Sequence, residues 1–159
     1  MKPLVICFEG LGLSLPGFNS WYISEELMPK VAAEVTDWRI FSWSESPNIS
    51  LAELSPLKGR KIICIGQSFG GPSALEFGTV VLAKSIITLD PRSWTCDLPW
   101  AAPFAAPSGI PTYNFFREGF MPGYKVEGAT NFQIYPDCGH TQVPAQPEVL
   151  DCLLRLIHE

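Results

Sequence analysis

The apolar run Ile62-Ile63-Cys64-Ile65 leads without a break into Gly66-Gln67-Ser68-Phe69-Gly70, and this junction constrains the fold more than any other stretch of the chain. Four consecutive apolar residues suit a strand buried on both faces, as in a parallel sheet. Beyond the serine, Ala74, Leu75 and Phe77 place apolar groups where a packed helix needs them. A serine between strand and helix must stand on a strained turn, so the residues two before and two after it must be small enough for the neighbouring backbone to pass. Gly66 and Gly70 meet that demand, and Gly71 adds room. The junction therefore predicts a serine placed for nucleophilic acyl chemistry.

Downstream, Ile86-Ile87-Thr88-Leu89 is a second apolar run that ends in Asp90, and Asp137-Cys138-Gly139-His140 follows much later. With this order, the chain resembles the α/β-hydrolase superfamily of lipases, esterases, thioesterases and related serine hydrolases, over most of its length. In that family the triad runs serine, acid, histidine, with the acid at a strand end and the histidine in a late loop. The resemblance implies an α/β fold and a catalytic set of Ser68, Asp90 and His140. It also implies an oxyanion hole built from the backbone N–H of Phe69 and, in the loop after a first strand at residues 3–8, that of Leu11. Glu9 stands where many members carry a histidine before the glycine, a departure from the pattern.

The histidine is nearly forced, because the chain holds two and His158 is the penultimate residue. On the last turn of a terminal helix, His158 reads as an exposed cation favoured by the helix dipole. His140 lies between a strand-like stretch (131–135) and a helix-like one (148–157), where a loop can carry a base to the sheet edge. Read alone, it would be a hydrogen-bonded loop residue; beside Ser68 in this order, it reads as the base. For the acid, Asp90 is the first candidate, with a turn-forming Asp-Pro as its structural alternative. Glu118, after a later strand at residues 111–116, is the rival, with Asp97 and Asp137 behind it; otherwise Glu118 is an exposed partner of Arg117 or a lysine.

A glycine-rich turn after the first strand, Gly10-Leu11-Gly12, also permits a dinucleotide-binding reading. The third glycine of that fingerprint is misplaced, since Leu15 occupies its position, and there is no Gly-Lys-Ser/Thr phosphate loop. Nucleic acid is an unsuitable partner for a chain of net charge −5 and pI about 5.0. A hydrophobic content of 47% over 159 residues argues for a single folded domain spanning 1–159 rather than disorder. No apolar run is long enough to cross a bilayer, and the first one is too short for a secretory signal. Five cysteines, odd in number and unspaced for zinc, suggest a reducing cytoplasm. Cys7 and Cys64 read as small hydrophobes in buried strands, and Cys138 as a packed loop thiol near His140. Neither a metal nor an organic cofactor is expected.

The remaining pattern alternates strand and helix: a helix over 25–35 that must accommodate Pro29, a strand at 38–43, and a short helix marked by Leu51, Leu54 and Leu57. This predicts a compact, mostly parallel sheet of about six strands with helices on both faces, short of the family's usual eight. The stretch 91–110 is expected to be an apolar, lid-like loop in which Trp94, Trp100 and Phe104 line a substrate mouth; a surface loop held by aromatic packing is the alternative. Trp21 and Tyr22 read as helix-packing residues. The function expected is cleavage of an ester or thioester carrying a short to medium acyl group. The alternatives are an acyltransferase or amidase on the same triad, and a catalytically silent binding or interaction protein with the hydrolase fold.

Overall fold

Strand residues of this chain alternate between two apolar faces, and that alternation organises the computed structural model, which describes residues 2–10, 22–35, 37–43, 59–92, 104–118, 123–134 and 138–159. Six strands, β1 (Leu4–Glu9), β2 (Asp37–Ser42), β3 (Ile62–Gln67), β4 (Ser85–Leu89), β6 (Thr112–Arg117) and β8 (Thr130–Ile134), form one sheet in the order β2-β1-β3-β4-β6-β8. Every neighbouring pair in it is parallel. Val5, Cys7, Ile63, Ile65, Ile87, Leu89 and Phe115 face one side, where they pack with the terminal helix α3 (Pro147–His158) and the first helical segment. Leu4, Ile6, Phe8, Ile62, Cys64 and Ile86 face the other, against Ala74, Leu75 and Phe77 of α2 (Gly70–Val80). Burial on both faces explains why β1 and β3 read as unbroken apolar runs rather than alternating ones. A parallel sheet with helices on both faces is thus what the sequence pattern specified.

Pro29 is accommodated as its missing N–H requires. The helix opens with one π turn, Ile23–Leu27, in which Met28 N–H donates to the Ile23 carbonyl, and then continues as α1, Met28–Val31, with Pro29 in its first turn. A widened turn moves the backbone carbonyls away from the pyrrolidine ring. The expected helix marked by Leu51, Leu54 and Leu57 lies outside the described residues.

The expected loop at 91–110 is not continuous. Phe104–Ala105 (β5) pairs in parallel with Val126–Glu127 (β7) in a separate two-stranded ribbon. Asn131 explains how so short a ribbon is held: its side chain accepts from Val126 N–H at 3.0 Å and donates to the Val126 carbonyl at 2.9 Å. Asn114 in turn donates to Asn131 at 2.7 Å and to the Tyr124 carbonyl at 2.9 Å. Side chains here supply the bonds that two residues of ladder cannot.

Candidate functional site

The chain leaves β1 for the sheet edge at β2 and returns to β3 on the other side of β1, so its direction of progress reverses there. In open parallel sheets such a switch leaves a crevice outside the carboxyl ends of the strands. Gly10, Ser68 and Asp90 each stand one residue beyond the ends of β1, β3 and β4, and Arg117 closes β6. Sheet topology thus gathers residues far apart in sequence along one edge.

Ser68 occupies the turn between β3 and α2 with φ 53°, in the left-handed region. Its N–H donates to the Leu89 carbonyl at 2.9 Å, and its own carbonyl accepts from Gly71 and Arg92 at 3.0 and 2.9 Å. Crowding around this turn is severe. A Cβ on Gly66 would overlap the carbonyl of Gly70, and one on Gly70 would overlap that of Phe8. Those two positions can therefore hold only glycine without backbone movement, which is the physical content of the sequence pattern. Gly10 passes beside the serine: a Cβ there would lie 2.9 Å from Ser68 Cβ and 3.6 Å from Ser68 Oγ. Gly10, directly after β1, therefore stands beside the serine; Leu11 lies outside the described residues. Phe69 caps α2, and its ring sits 5.6 Å from that of Trp43.

Asp90 is likewise in the left-handed region, with φ 46°, and is fully buried. Holding a non-glycine residue there costs on the order of 1–3 kcal/mol, so surrounding bonds must fix it. They are numerous. Asp90 N–H donates to the Phe115 carbonyl at 2.6 Å, and its Oδ1 accepts from the Arg117 N–H at 3.0 Å. Its Oδ2 accepts from Arg117 Nε at 3.0 Å and lies 2.5 Å from His140 Nδ1. Burial, the largest single influence, pushes the Asp90 carboxyl up, but the hydrogen bonds from His140 and Arg117 and their charges outweigh it. The net result holds the group below its ordinary value.

His140 opens a 3-10 turn, His140–Ala145, that follows β8 and leads into α3. Gln67, the residue before the serine, donates from Nε2 to the His140 carbonyl at 3.2 Å, tying the histidine loop to the end of β3. Among the described residues, no hydrogen bond joins Ser68 Oγ to the His140 ring; contacts of this kind tighten in the reacting complex. The geometry thus pairs His140 with Asp90 and brings both to the edge where Ser68 stands.

Glu118 is exposed, and it is Asp90 that engages both Arg117 and His140. Asp97, Asp137, Trp94 and Trp100 lie outside the described residues. Phe104 is half-buried in the ribbon, packed on the α2-side cluster and edge-on to Tyr124 at 6.1 Å. His158 is exposed at the end of α3, 3.8 Å from Glu34. Tyr22 is half-buried beside the first helical segment.

Two contributors carry no signal in the sequence. Glu9, at the end of β1, is buried and accepts from the N–H groups of Ser24 at 2.8 Å and Ile23 at 3.3 Å, so it anchors the start of the helix that follows the glycine-rich turn. Burial pushes its carboxyl up, and the bonds from Ser24 and Ile23 offset only part of that rise. Arg117 is the other. A basic residue at a strand end says nothing of its role until the partner strand's acid is seen beside it.

Cys7, Cys64, Cys138 and Cys152 are buried free thiols, all pushed above their ordinary range chiefly by burial. Such thiols are protonated and poorly nucleophilic. Among the described residues, no group of three or more His, Cys, Asp or Glu side chains is gathered in a way that could hold a metal ion. No described helix is long and apolar enough to cross a membrane.

The sequence matches no family model and no curated protein. Solved structures do resemble the chain. Naproxen esterase from Bacillus subtilis superposes with a TM-score of 0.58 at 14% identity, covering 97% of this chain and 82% of the esterase. Human thioesterase 2 gives 0.58 at 12% identity, covering 99% and 94%. The NocB thioesterase domain of the nocardicin cluster gives 0.57 at 13% identity, again covering 99% and 94%. The chain has the α/β-hydrolase fold. At these identities the likeness is one of architecture, and the site must be argued from its own residues.

Proposed function

We propose that this chain is a serine hydrolase that cleaves an ester or thioester through an acyl-enzyme on Ser68. The observation that carries the reading is the 2.5 Å pairing of Asp90 Oδ2 with His140 Nδ1 at the sheet edge where Ser68 occupies its crowded turn. Asp90 fixes the tautomer that leaves the far ring nitrogen, Nε2, to accept the Ser68 proton. Ser68 Oγ then attacks the acyl carbonyl, and the backbone N–H groups of Phe69 and Leu11 receive the developing oxyanion. His140 returns the proton to the leaving group, and in the second half it activates water to release the acid. The chain's own groups suffice for every proton transfer. Esterase and thioesterase neighbours support hydrolysis as the reaction type. An acyltransferase or amidase would use the same residues: the first differs in the nucleophile that takes the acyl group in place of water, the second in expelling an amine rather than an alcohol or thiol.

A fluorophosphonate probe followed by intact-mass detection tests the nucleophile. One equivalent should add to the wild type and none to Ser68→Ala. A folded wild type that takes up no probe would instead make the chain a binding protein on a hydrolase scaffold.

The acyl groups expected are short to medium in length. Across a p-nitrophenyl ester series, kcat/KM should rise as each buried methylene adds about 0.8 kcal/mol, and then fall once the pocket is filled. A flat profile would point to small polar esters or amides.

A further inference from the structure

Asp90 Oδ2 serves two partners, His140 Nδ1 at 2.5 Å and Arg117 Nε at 3.0 Å. Oδ1 accepts the backbone N–H of the same arginine. The guanidinium also reaches past the acid: Nη1 donates to the Cys138 carbonyl at 3.3 Å, two residues before His140. From the end of β6, Arg117 therefore touches both the carboxylate and the loop that carries the histidine. Side-chain exposure is 11% for Arg117 and 0% for Asp90, so solvent weakens this pair little. A histidine tautomer can be fixed by a carboxylate alone, so a buried arginine on that same oxygen calls for its own explanation.

We propose that Arg117 is a positioning residue that locks the Asp90 carboxylate and the His140 loop in one geometry and extends turnover to lower pH by offsetting the charge of Asp90. The kinetic half rests on the serine-hydrolase reading; the geometric half does not. A guanidinium beside the carboxylate offsets part of the negative charge that would stabilise an imidazolium, and it also repels that imidazolium directly. Because a protonated histidine cannot act as base, both effects move the acid limb of kcat/KM in the same direction, downwards. Among the described residues, Arg92, Cys138 and Glu148 also lie around the pair or the histidine loop. Arg92 lies after β4 with Nη2 3.9 Å from Oδ2, the Cys138 thiol is kept protonated by burial, and Glu148 is in the first turn of α3. Arg117 bonds both the acid and the histidine loop.

Arg117→Gln removes the charge, whereas Arg117→Lys keeps the charge and loses the fork. With Gln, the acid limb should move to higher pH. With Lys, it should stay near that of the wild type while kcat falls roughly 10- to 100-fold through misplacement, with KM little changed. In an Asp90→Asn background, Arg117→Gln should shift the limb less than it does in the wild type, since only the direct repulsion of the imidazolium is left to remove. A purely structural arginine would lower stability without moving the limb, and an unmoved limb in folded Arg117→Gln overturns the charge role. Wild-type kcat in Arg117→Lys overturns the positioning role, and this arm stands even where the Gln variant does not fold. The low-field proton resonance of the His140 Nδ1–H···Asp90 bond reads the geometry without any turnover. It should weaken in both variants; its persistence unchanged would overturn the positioning role whether or not Ser68 proves to be a nucleophile.

Discussion

Ser68→Ala and His140→Ala should each lower turnover of a short-chain ester by about 10⁵- to 10⁶-fold, and the double variant should be scarcely worse than either single one. The expectation follows from the division of labour at the sheet edge. Without the hydroxyl there is no atom to carry the acyl group, and without the imidazole the hydroxyl keeps its proton. Two residues that act in one step lose their joint contribution once, not twice. Ser68→Ala is a clean test because alanine inherits the same backbone position and removes a single oxygen from a crowded turn. Unfolding curves would confirm that the fold persists. Initial rates at saturating ester then decide: if either variant retains a tenth of the wild-type rate, the nucleophile or base lies elsewhere.

Much of the sheet and its edge is legible in the sequence, for a reason tied to burial. β1 and β3 are covered on both faces, so they are apolar along most of their length, and the polar residues that close them, Glu9 and Gln67, mark the carboxyl edge. Glycines at 66 and 70 are legible because no other side chain fits against the Gly70 and Phe8 carbonyls. The β5–β7 ribbon is not legible. Phe104 and Ala105 sit among prolines and alanines, and their pairing depends on Asn131, more than twenty residues away, closing bonds to Val126. Non-local side-chain bonds leave no local period to read.

Glu9 and Arg117 are hidden for a related reason. A carboxylate after a strand looks like a departure from a family pattern until the N–H groups of Ser24 and Ile23 are seen to converge on it. An arginine at a strand end looks like an exposed partner for the neighbouring Glu118. Which acid it meets depends on strand order, and β6 lies beside β4, the strand that ends just before Asp90. Local chemistry is thus visible in the sequence, while its wiring across strands is not.

Asp90→Asn should lower turnover on the order of 10⁴-fold, whereas Glu118→Gln should change it by no more than a factor of a few. An asparagine at position 90 can present its amide N–H to His140 Nδ1, which favours the tautomer with the proton on the wrong nitrogen and withdraws the charge that steadies the imidazolium. Glu118 is exposed and does not meet the histidine, so its charge is screened by solvent. A second readout separates this role from mere scaffolding. The Asp90 carboxyl is held below its ordinary value in the folded protein, so it contributes stability that is present above the unfolded carboxyl's pKa and is lost as pH falls through the folded one. Asparagine has no such titration, so acid unfolding of Asp90→Asn should be less steep in that window than that of the wild type. Steady-state kinetics on both variants, with unfolding followed from neutral to acid pH, give the ranking. Should Glu118→Gln prove the more damaging change, the acid belongs to the end of β6, and His140 must turn from Asp90 during turnover.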